Sequence, residues 1–471
     1  MSKLIVMRNP LFSVIEPSLR GDPVQAAVME AFACQAPHSR IWIACSGGPD
    51  SMALLHAANT VLGQVFELRV VHVNHGLHAE AAAWAEHVQD ACDGYGLPCQ
   101  VHVVEITGVK ARGLEDAARQ ARLSVFSRVL GPDETVVTAH HREDQAETVL
   151  LRLLRGAGPR GLSAMRPRRA LVQGWLVRPF LRLSRVALVR YCEKHGLQSV
   201  QDPSNQDPRY RRNWLRRTVI PAMEEMWPAA SHMLERAAQL QSEANELIET
   251  LGALDLAQVQ ADEDVYTLDI KRLNGLCRVR AANVIRTWLA RRGFQYPHRA
   301  QIERLLDALK TVRDDRELLL PAADAIIRRY RGRLHVEKAR FNDLAPERMF
   351  ERHWQIPAPL LIGDGVLSAR VCNGDGLSIR VLADRRLVVR ARVGGERIRP
   401  AGRGVTKRVK SLFQEAGIPP WQRTEHPLVY VDDTLVAIPG ICIAEGWAAE
   451  PTADGWILEW TRPTPLPCPR T

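Results

Sequence analysis

The stretch Ile41-Trp42-Ile43-Ala44-Cys45-Ser46-Gly47-Gly48-Pro49-Asp50-Ser51-Met52-Ala53-Leu54-Leu55 decides how the chain is read. Its first five residues form a short apolar run, the pattern of a buried strand. From Met52 the apolar residues recur with helical spacing as far as Gly63, where a helix is expected to stop. Strand, glycine turn and helix in that order bring backbone N–H groups to a helix N-terminus. That end carries about half a positive charge and unpaired donors, so it suits a phosphate. Gly47 and Gly48 let the backbone approach a ligand with no Cβ in the way. Ser46 and Ser51 add hydroxyls, and Pro49 fits a first helical turn. The other reading is a glycine turn with a structural role only. The loop lacks the Gly-Lys-Ser/Thr ending of the common phosphate loop.

Outward from this loop the pattern alternates. Strands are expected at Phe66–Val73, Cys99–Ile106, Thr135–Ala139 and Trp175–Val177. Helices are expected at Ala79–Tyr95, Leu114–Leu130, Glu143–Arg155 and Arg185–His195, and residues 1–40 read as a leader with one helix at Pro23–Cys34. Such alternation predicts an α/β fold, a doubly wound parallel sheet whose ligands bind beyond the carboxyl ends of the strands. Polar residues gather at those ends. Strand two runs into His72-Val73-Asn74-His75, and strand four into His140-His141-Arg142-Glu143-Asp144. A spacing of four puts His140 and Asp144 within reach of one another on a helix. Such a pair can orient a substrate, move a proton or bind a metal. It can equally be an acidic first turn that satisfies helix donors.

The chain has 471 residues, enough for about three domains. No apolar run approaches the ~18 residues that would cross a membrane, and the N-terminus is a poor secretion signal. The expectation is a soluble cytoplasmic protein with no membrane partner. The nine cysteines never form a Cys-x-x-Cys pair, which leaves zinc ribbons and paired redox motifs without support. Lys plus Arg number 63 against 53 Asp plus Glu, a net charge of +10. That excess favours a polyanionic partner. Its sharpest concentration, Arg209-Tyr210-Arg211-Arg212-Asn213-Trp214-Leu215-Arg216-Arg217, interleaves aromatics with arginines and so suits stacked bases on a phosphate backbone. A solvated charge run is the alternative.

Several long stretches then occur in a fixed order. Ser46–Ser51 resembles the SGGxDS signature of the PP-loop ATP pyrophosphatases, which cleave ATP between the α and β phosphates. Together with His72–Leu77 (HVNHGL), Gly113–Arg122 (GLEDAARQAR), Ala139–Leu162 (AHHREDQAETVLLRLLRGAGPRGL), Asp202–Arg216 (DPSNQDPRYRRNWLR) and Thr406–Trp421, it is similar to the tRNA(Ile)-lysidine synthetases. The resemblance implies a ligase. ATP adenylates the 2-carbonyl oxygen of the wobble cytidine in tRNA(Ile) with a CAU anticodon, releasing pyrophosphate. The amine of L-lysine then displaces AMP from the same carbon. It further implies that Ser46, Gly47, Gly48, Pro49, Asp50 and Ser51 hold ATP, with His72 and Asn74 near the adenine. Asp50 is the implied Mg2+ contact as well as a catalytic residue. His140, Asp144 and Arg212 complete the implied catalytic set, and a homodimer is compatible with it.

The rest of the chain follows the same expectation. A PP-loop (HUP-like) catalytic domain covers 1–220, a mainly helical tRNA-binding domain 221–345, a small α+β tRNA-binding domain 355–462, and a flexible tail 463–471. The middle carries an apolar stripe, Met233, Leu234, Ala237, Ala238, Leu240, Ala244, Leu247 and Ile248, of the kind that usually faces a core. Short strands are expected at Leu318–Val336 and a proline-rich joint around Ile356–Leu360. In the last unit Arg397, Arg399, Arg403, Lys407, Arg408 and Lys410 lead into a helix that Pro419-Pro420-Trp421 stops. Three rivals remain. A PP-loop tRNA thiolase needs a cysteine pair or iron–sulfur ligands. An amidotransferase-type ligase needs an ammonia source. A non-catalytic RNA-binding protein needs neither the glycine loop nor the His140/Asp144 cluster.

Overall fold

The computed structural model describes residues 21–36, 38–107, 113–203, 207, 209–261, 264–311, 319–338, 350–363, 365–383 and 385–461. The start of the expected leader, the expected tail at 463–471, and residues 204–206 and 208 of the Asp202–Arg216 stretch lie outside them. The chain forms two compact units, residues 1–251 and 252–468.

The first unit is built on strands β1 (Arg40–Ala44), β2 (Glu67–Asn74), β3 (Cys99–Val103), β4 (Thr135–Val137), β5 (Arg168–Leu171) and β6 (Gly174–Val177). They lie in the order β3-β2-β1-β4-β6-β5. All neighbours run parallel except β5, which pairs antiparallel with β6 as an edge hairpin. Helices α1 (Pro23–Phe32), α2 (Pro49–Leu62), α3 (Ala81–Gly94), α4 (Leu114–Val129), α5 (Arg142–Leu153) and α6 (Arg185–Lys194) accompany the sheet. The sequence pattern anticipated each of these helices and every parallel strand. It did not anticipate β5, whose Arg168-Arg169-Ala170-Leu171 lacks an apolar run.

Alternation along β1 builds the two faces of the sheet. Ile41 and Ile43 pack with Leu54, Leu55, Val88 and Leu188, while Trp42 packs on the other side with Val125, Phe126 and Leu176. Each fully buried aliphatic side chain contributes about 1.5–3 kcal/mol, so both faces hold the strands in register. The winding reverses at β1. Strands β2 and β3 extend one way, and β4 and β6 the other. Ile43 is the register partner of Val137, so the loops leaving β1 and β4 open side by side at the switch point, where such sheets bind ligands.

After Arg211–Trp214 the backbone passes through a π-helical turn at Leu215–Val219 and a short helix at Ile220–Met226, then through α7 (Ala230–Val259). The second unit contains α8 (Arg278–Arg291), α9 (Arg299–Thr311), a five-stranded sheet and further antiparallel sheets. The strand Glu351–Trp354 pairs with Leu387–Arg390. The proline-rich stretch at Ile356–Leu360 therefore lies within the last sheet body, whose strands begin before it. A hairpin at Ala325–Lys338 touches this body, where Arg423 donates to the Tyr330 hydroxyl at 3.1 Å.

Candidate active site

The loop between β1 and α2 is held open by its own residues. The Ser51 hydroxyl donates to the Gly48 carbonyl at 2.9 Å and accepts from the Ser46 N–H at 3.1 Å, and Ser46 Oγ lies 3.2 Å from Ser51 Oγ. Gly47 has φ +85°, and a Cβ there would stand 2.9 Å from Val200. Its carbonyl accepts from the Val200 N–H at 2.9 Å, which ties the loop to the segment leading into Asp202. Gly48 caps α2 with no side-chain hydrogen bond, and Pro49 opens the helix. The geometry is that of an anion cradle at a helix N-terminus.

Asp50 sits in the first turn of α2 and reaches across the switch point. Its Oδ2 lies 3.7 Å from His141 Nε2, while its Oδ1 is buried with no hydrogen-bond partner. Burial raises its pKa, against the pull of His141 and Arg185. His141 is almost fully enclosed. Its Nδ1 donates to Glu143 at 2.8 Å, and its Nε2 faces Asp144 at 3.5 Å. Burial alone would depress this imidazole, yet Asp144, Glu143 and Asp50 together raise it.

Asp144 serves two purposes. Its Oδ2 accepts from the His141 backbone N–H at 3.0 Å, capping α5, and its Oδ1 accepts from Arg216 at 2.8 Å. Desolvation works against its ionisation, but His141, His140 and Arg216 hold it down at about 2. One turn along α5, Glu147 has no exposed side-chain surface and pairs with Arg216 at 2.6 Å and Arg212 at 3.2 Å. Burial outweighs those partners and raises its pKa. Arg212 also donates to Thr148 Oγ1 at 3.0 Å and lies 3.6 Å from Glu115.

The structure thus places Asp50, Asp144 and Arg212 in one network at the strand ends. His140 stands apart from the expected pairing. Its Nδ1 lies 2.9 Å from the Thr138 hydroxyl, and burial, helped by Arg178, Arg122 and Arg212, outweighs the opposing pull of Asp144 and pushes its pKa down to about 3. His72 is buried and donates from Nδ1 to the Cys45 carbonyl at 2.9 Å. Asn74 donates to Ala81 O and accepts from the Gly76 N–H at 2.8 Å. Both build the loops beside the cradle. Sequence reasoning missed His141, Glu143, Glu147 and Arg216. The available signal was the spacing of Asp144 and Glu147 on α5, which puts two acids on one helix face. Among the described residues no group of three His, Cys, Asp or Glu can enclose a metal. Cys92 and Cys99 do meet, but Cys99 begins β3, at the sheet edge opposite the site.

A family described as the PP-loop domain matches residues 22–223. The TilS substrate binding domain matches residues 268–335, and the TilS substrate C-terminal domain residues 387–460. A protein of Coxiella burnetii named tRNA(Ile)-lysidine synthase is 38% identical over 426 residues, covering 90% of this chain and 93% of its own. Its namesake in Alkalilimnicola ehrlichii is 40% identical over 422 residues, covering 88% and 92%. Among solved structures, the U34-tRNA thiolase NcsA of Methanococcus maripaludis with its 4Fe-4S cluster is 15% identical, with a TM-score of 0.39 over 46% of this chain and 78% of that one.

Proposed function

The chain belongs to the tRNA(Ile)-lysidine synthase family, and on that premise we propose how its own residues carry the reaction. It is a ligase that forms lysidine on tRNA(Ile), with ATP as a substrate. In our reading the RNA is the minor tRNA(Ile) with a CAU anticodon, the amine comes from L-lysine, and the enzyme works in the cytoplasm as a homodimer. The observation that carries this is the meeting of Asp50 with His141 across the switch point, 3.7 Å apart. It joins a phosphate cradle to a charged network beside it.

The carbonyl at position 2 of cytosine is a poor electrophile until its oxygen bears a leaving group. Adenylation forms a bond from that oxygen to the α-phosphorus and breaks the α–β bridge, so pyrophosphate departs. The N-terminus of α2 and residues Ser46 to Ser51 would bind the phosphates. The orphaned Oδ1 of Asp50 fits Mg2+, which takes one or two carboxylates and completes its shell with phosphate oxygens and water. When bound, that ion would neutralise phosphate charge. His141, whose pKa three carboxylates raise against the effect of burial, keeps Asp50 oriented. Arg212 and Arg216, each about a quarter exposed, have guanidinium edges left to face developing phosphate charge.

Lysine must lose a proton before its nitrogen attacks the activated carbon and AMP leaves. Asp144, with its depressed pKa, suits an ion pair to the incoming ammonium better than proton removal. Asp50 and Glu147, both raised by burial, are better matched acceptors. Neutral His140 can hydrogen-bond the base. The thiolase alternative has less support, because the close cysteine pair lies on the wrong sheet edge. The test is incubation with ATP, labelled lysine and tRNA(Ile) carrying a CAU anticodon. Lysine-dependent labelling of that RNA, absent with methionine tRNA of the same anticodon, is expected. An unlabelled RNA would defeat the reading.

A further inference from the structure

The last sheet body holds an open cleft of about 660 Å³, within the range of about 300–1,000 Å³ that small-ligand sites occupy. Its floor is apolar. Ile379 and Leu382 come from a one-turn helix at Ile379–Leu382, and Leu387 from the strand that pairs with Glu351–Trp354. Two indoles also line it. Trp354 is buried and spends its N–H on the Ala358 carbonyl at 2.7 Å, so it builds the wall. Trp456, on the strand Asp454–Thr461, is half-buried and keeps indole surface free for a ligand. Arg385, Arg386 and His353 are exposed in the lining. No aspartate or glutamate lines the cleft among the described residues.

The two arginines differ from their neighbours. In the same body Arg370 pairs with Glu459, Arg380 with Glu450, Arg390 with Glu351 and Arg403 with Glu415, each within 3.3 Å. Arg385 and Arg386 have no carboxylate in ion-pair range among the described residues. Arg385 instead lies over the Trp447 ring, 5.1 Å from its centroid, a contact that holds the guanidinium without neutralising it. Adjacent uncompensated guanidiniums beside an apolar cleft attract an anion. Each can grip a phosphate through two donors. The free indole and the aliphatic floor suit the flat face of a base.

We propose that this cleft takes one unpaired nucleotide of the RNA substrate, its base against Trp456 and its flanking phosphates on Arg385 and Arg386. The inference rests on the RNA reading above and adds a base-accepting site to it. A base can enter only where it is unpaired, because in a duplex its faces are covered by its neighbours and its edges lie in the grooves. A chain places a phosphate on each side of that base, which uses both guanidiniums. Stacking and charge of this kind tolerate any base, so the cleft reads an unpaired position rather than a sequence.

The test measures binding of three probes to the full chain, a single-stranded RNA octanucleotide, a blunt RNA hairpin and AMP, with intact tRNA(Ile) as the control. Arg385→Glu with Arg386→Glu, both exposed, should weaken octanucleotide binding by about tenfold or more. The hairpin should lose no more than a few-fold, and AMP nothing. Trp456→Leu should weaken the octanucleotide by about tenfold, and Trp456→Phe, which keeps a ring, by less. Circular dichroism checks that each variant folds, and the exposed arginine pair decides the matter if Trp456→Leu does not. An octanucleotide that the wild type fails to bind, or that the arginine variant binds as well, would overturn the cleft. An equal loss for the hairpin would reduce it to a charged patch and overturn the unpaired base. A loss confined to AMP would give the cleft to a free nucleotide and overturn its assignment to RNA. A wild type that does not bind tRNA(Ile) would defeat the RNA reading itself, whereas tRNA(Ile) bound normally beside any of those results defeats the cleft alone.

Discussion

The strand-edge network of the first unit and the basic run of the second use charge in opposite ways. Around Asp50 the charges are enclosed and interlocked. Glu147 has no exposed side-chain surface, His141 is 2% exposed, and each contacts two or more oppositely charged groups. Between Arg397 and Lys410 the charges are largely on the surface. Arg403 and Lys407 share Glu415 at 2.8 and 2.7 Å, and Arg399 pairs with Glu445. Arg397, Arg408 and Lys410 have no carboxylate in ion-pair range among the described residues. Enclosed charges fix geometry and resist salt, while exposed charges attract a polyanion and are screened. The same residue types are thus locked into a buried network in one place and left open to solvent and salt in the other.

The sharpest break in this contrast is at Asp50. Asp50→Asn keeps the shape but removes the carboxylate that faces His141. Turnover is expected to fall by about 100–1000-fold, the scale of losing one preorganised electrostatic contact, with tRNA binding unchanged in a filter assay. Glu147→Gln comes next. It leaves Arg212 and Arg216 short of a buried counter-charge, so a loss on the order of 3 kcal/mol of stability is expected in denaturant unfolding, together with lost turnover. Gly47→Ala forces a Cβ into a left-handed backbone against Val200, and a loss of about 1–3 kcal/mol is expected, with weaker ATP binding by calorimetry.

A gentler comparison uses pH. The folded pKa of His141 is raised above 6.5, so its contribution to stability is complete below that value and is lost as pH rises through the folded pKa. Unfolding of the wild type and of His141→Asn at pH 6 and pH 9 should therefore show a difference that shrinks toward alkaline pH. A difference that grows would reverse the assignment. The smallest effect is expected in the second unit. Arg408→Ala should weaken tRNA binding a few-fold and lower the salt slope by roughly one, with turnover at saturating tRNA unchanged.

What the sequence disclosed follows the same division. Backbone-level features were legible, because glycine loop, strand and helix periods are local. The glycine loop, the parallel sheet and the gathering of polar residues at its carboxyl edge could all be read from that pattern, whereas the strand order around β1 came only with the structure. Side-chain partnerships were less so. Two adjacent histidines, His140 and His141, look interchangeable in sequence, but backbone geometry at the start of α5 turns one into the carboxylates and the other toward Thr138. Arg216 and Glu147 are 69 residues apart, and only the fold joins them. The stripe on α7 shows the converse limit. Periodicity located its apolar residues but could not show that Leu234 and Ala238 are the ones that pack with Val149 and Ala164.

The central claim is that a triphosphate docks at the Ser46–Ser51 loop and is attacked by an RNA base before lysine takes part. The most direct measurement mixes the enzyme with α-labelled ATP and CAU tRNA(Ile) without lysine. The account predicts label transferred to the RNA, with one pyrophosphate released per AMP retained, and neither event with Asp50→Asn. Pyrophosphate release that requires lysine, or full transfer by Asp50→Asn, would contradict it.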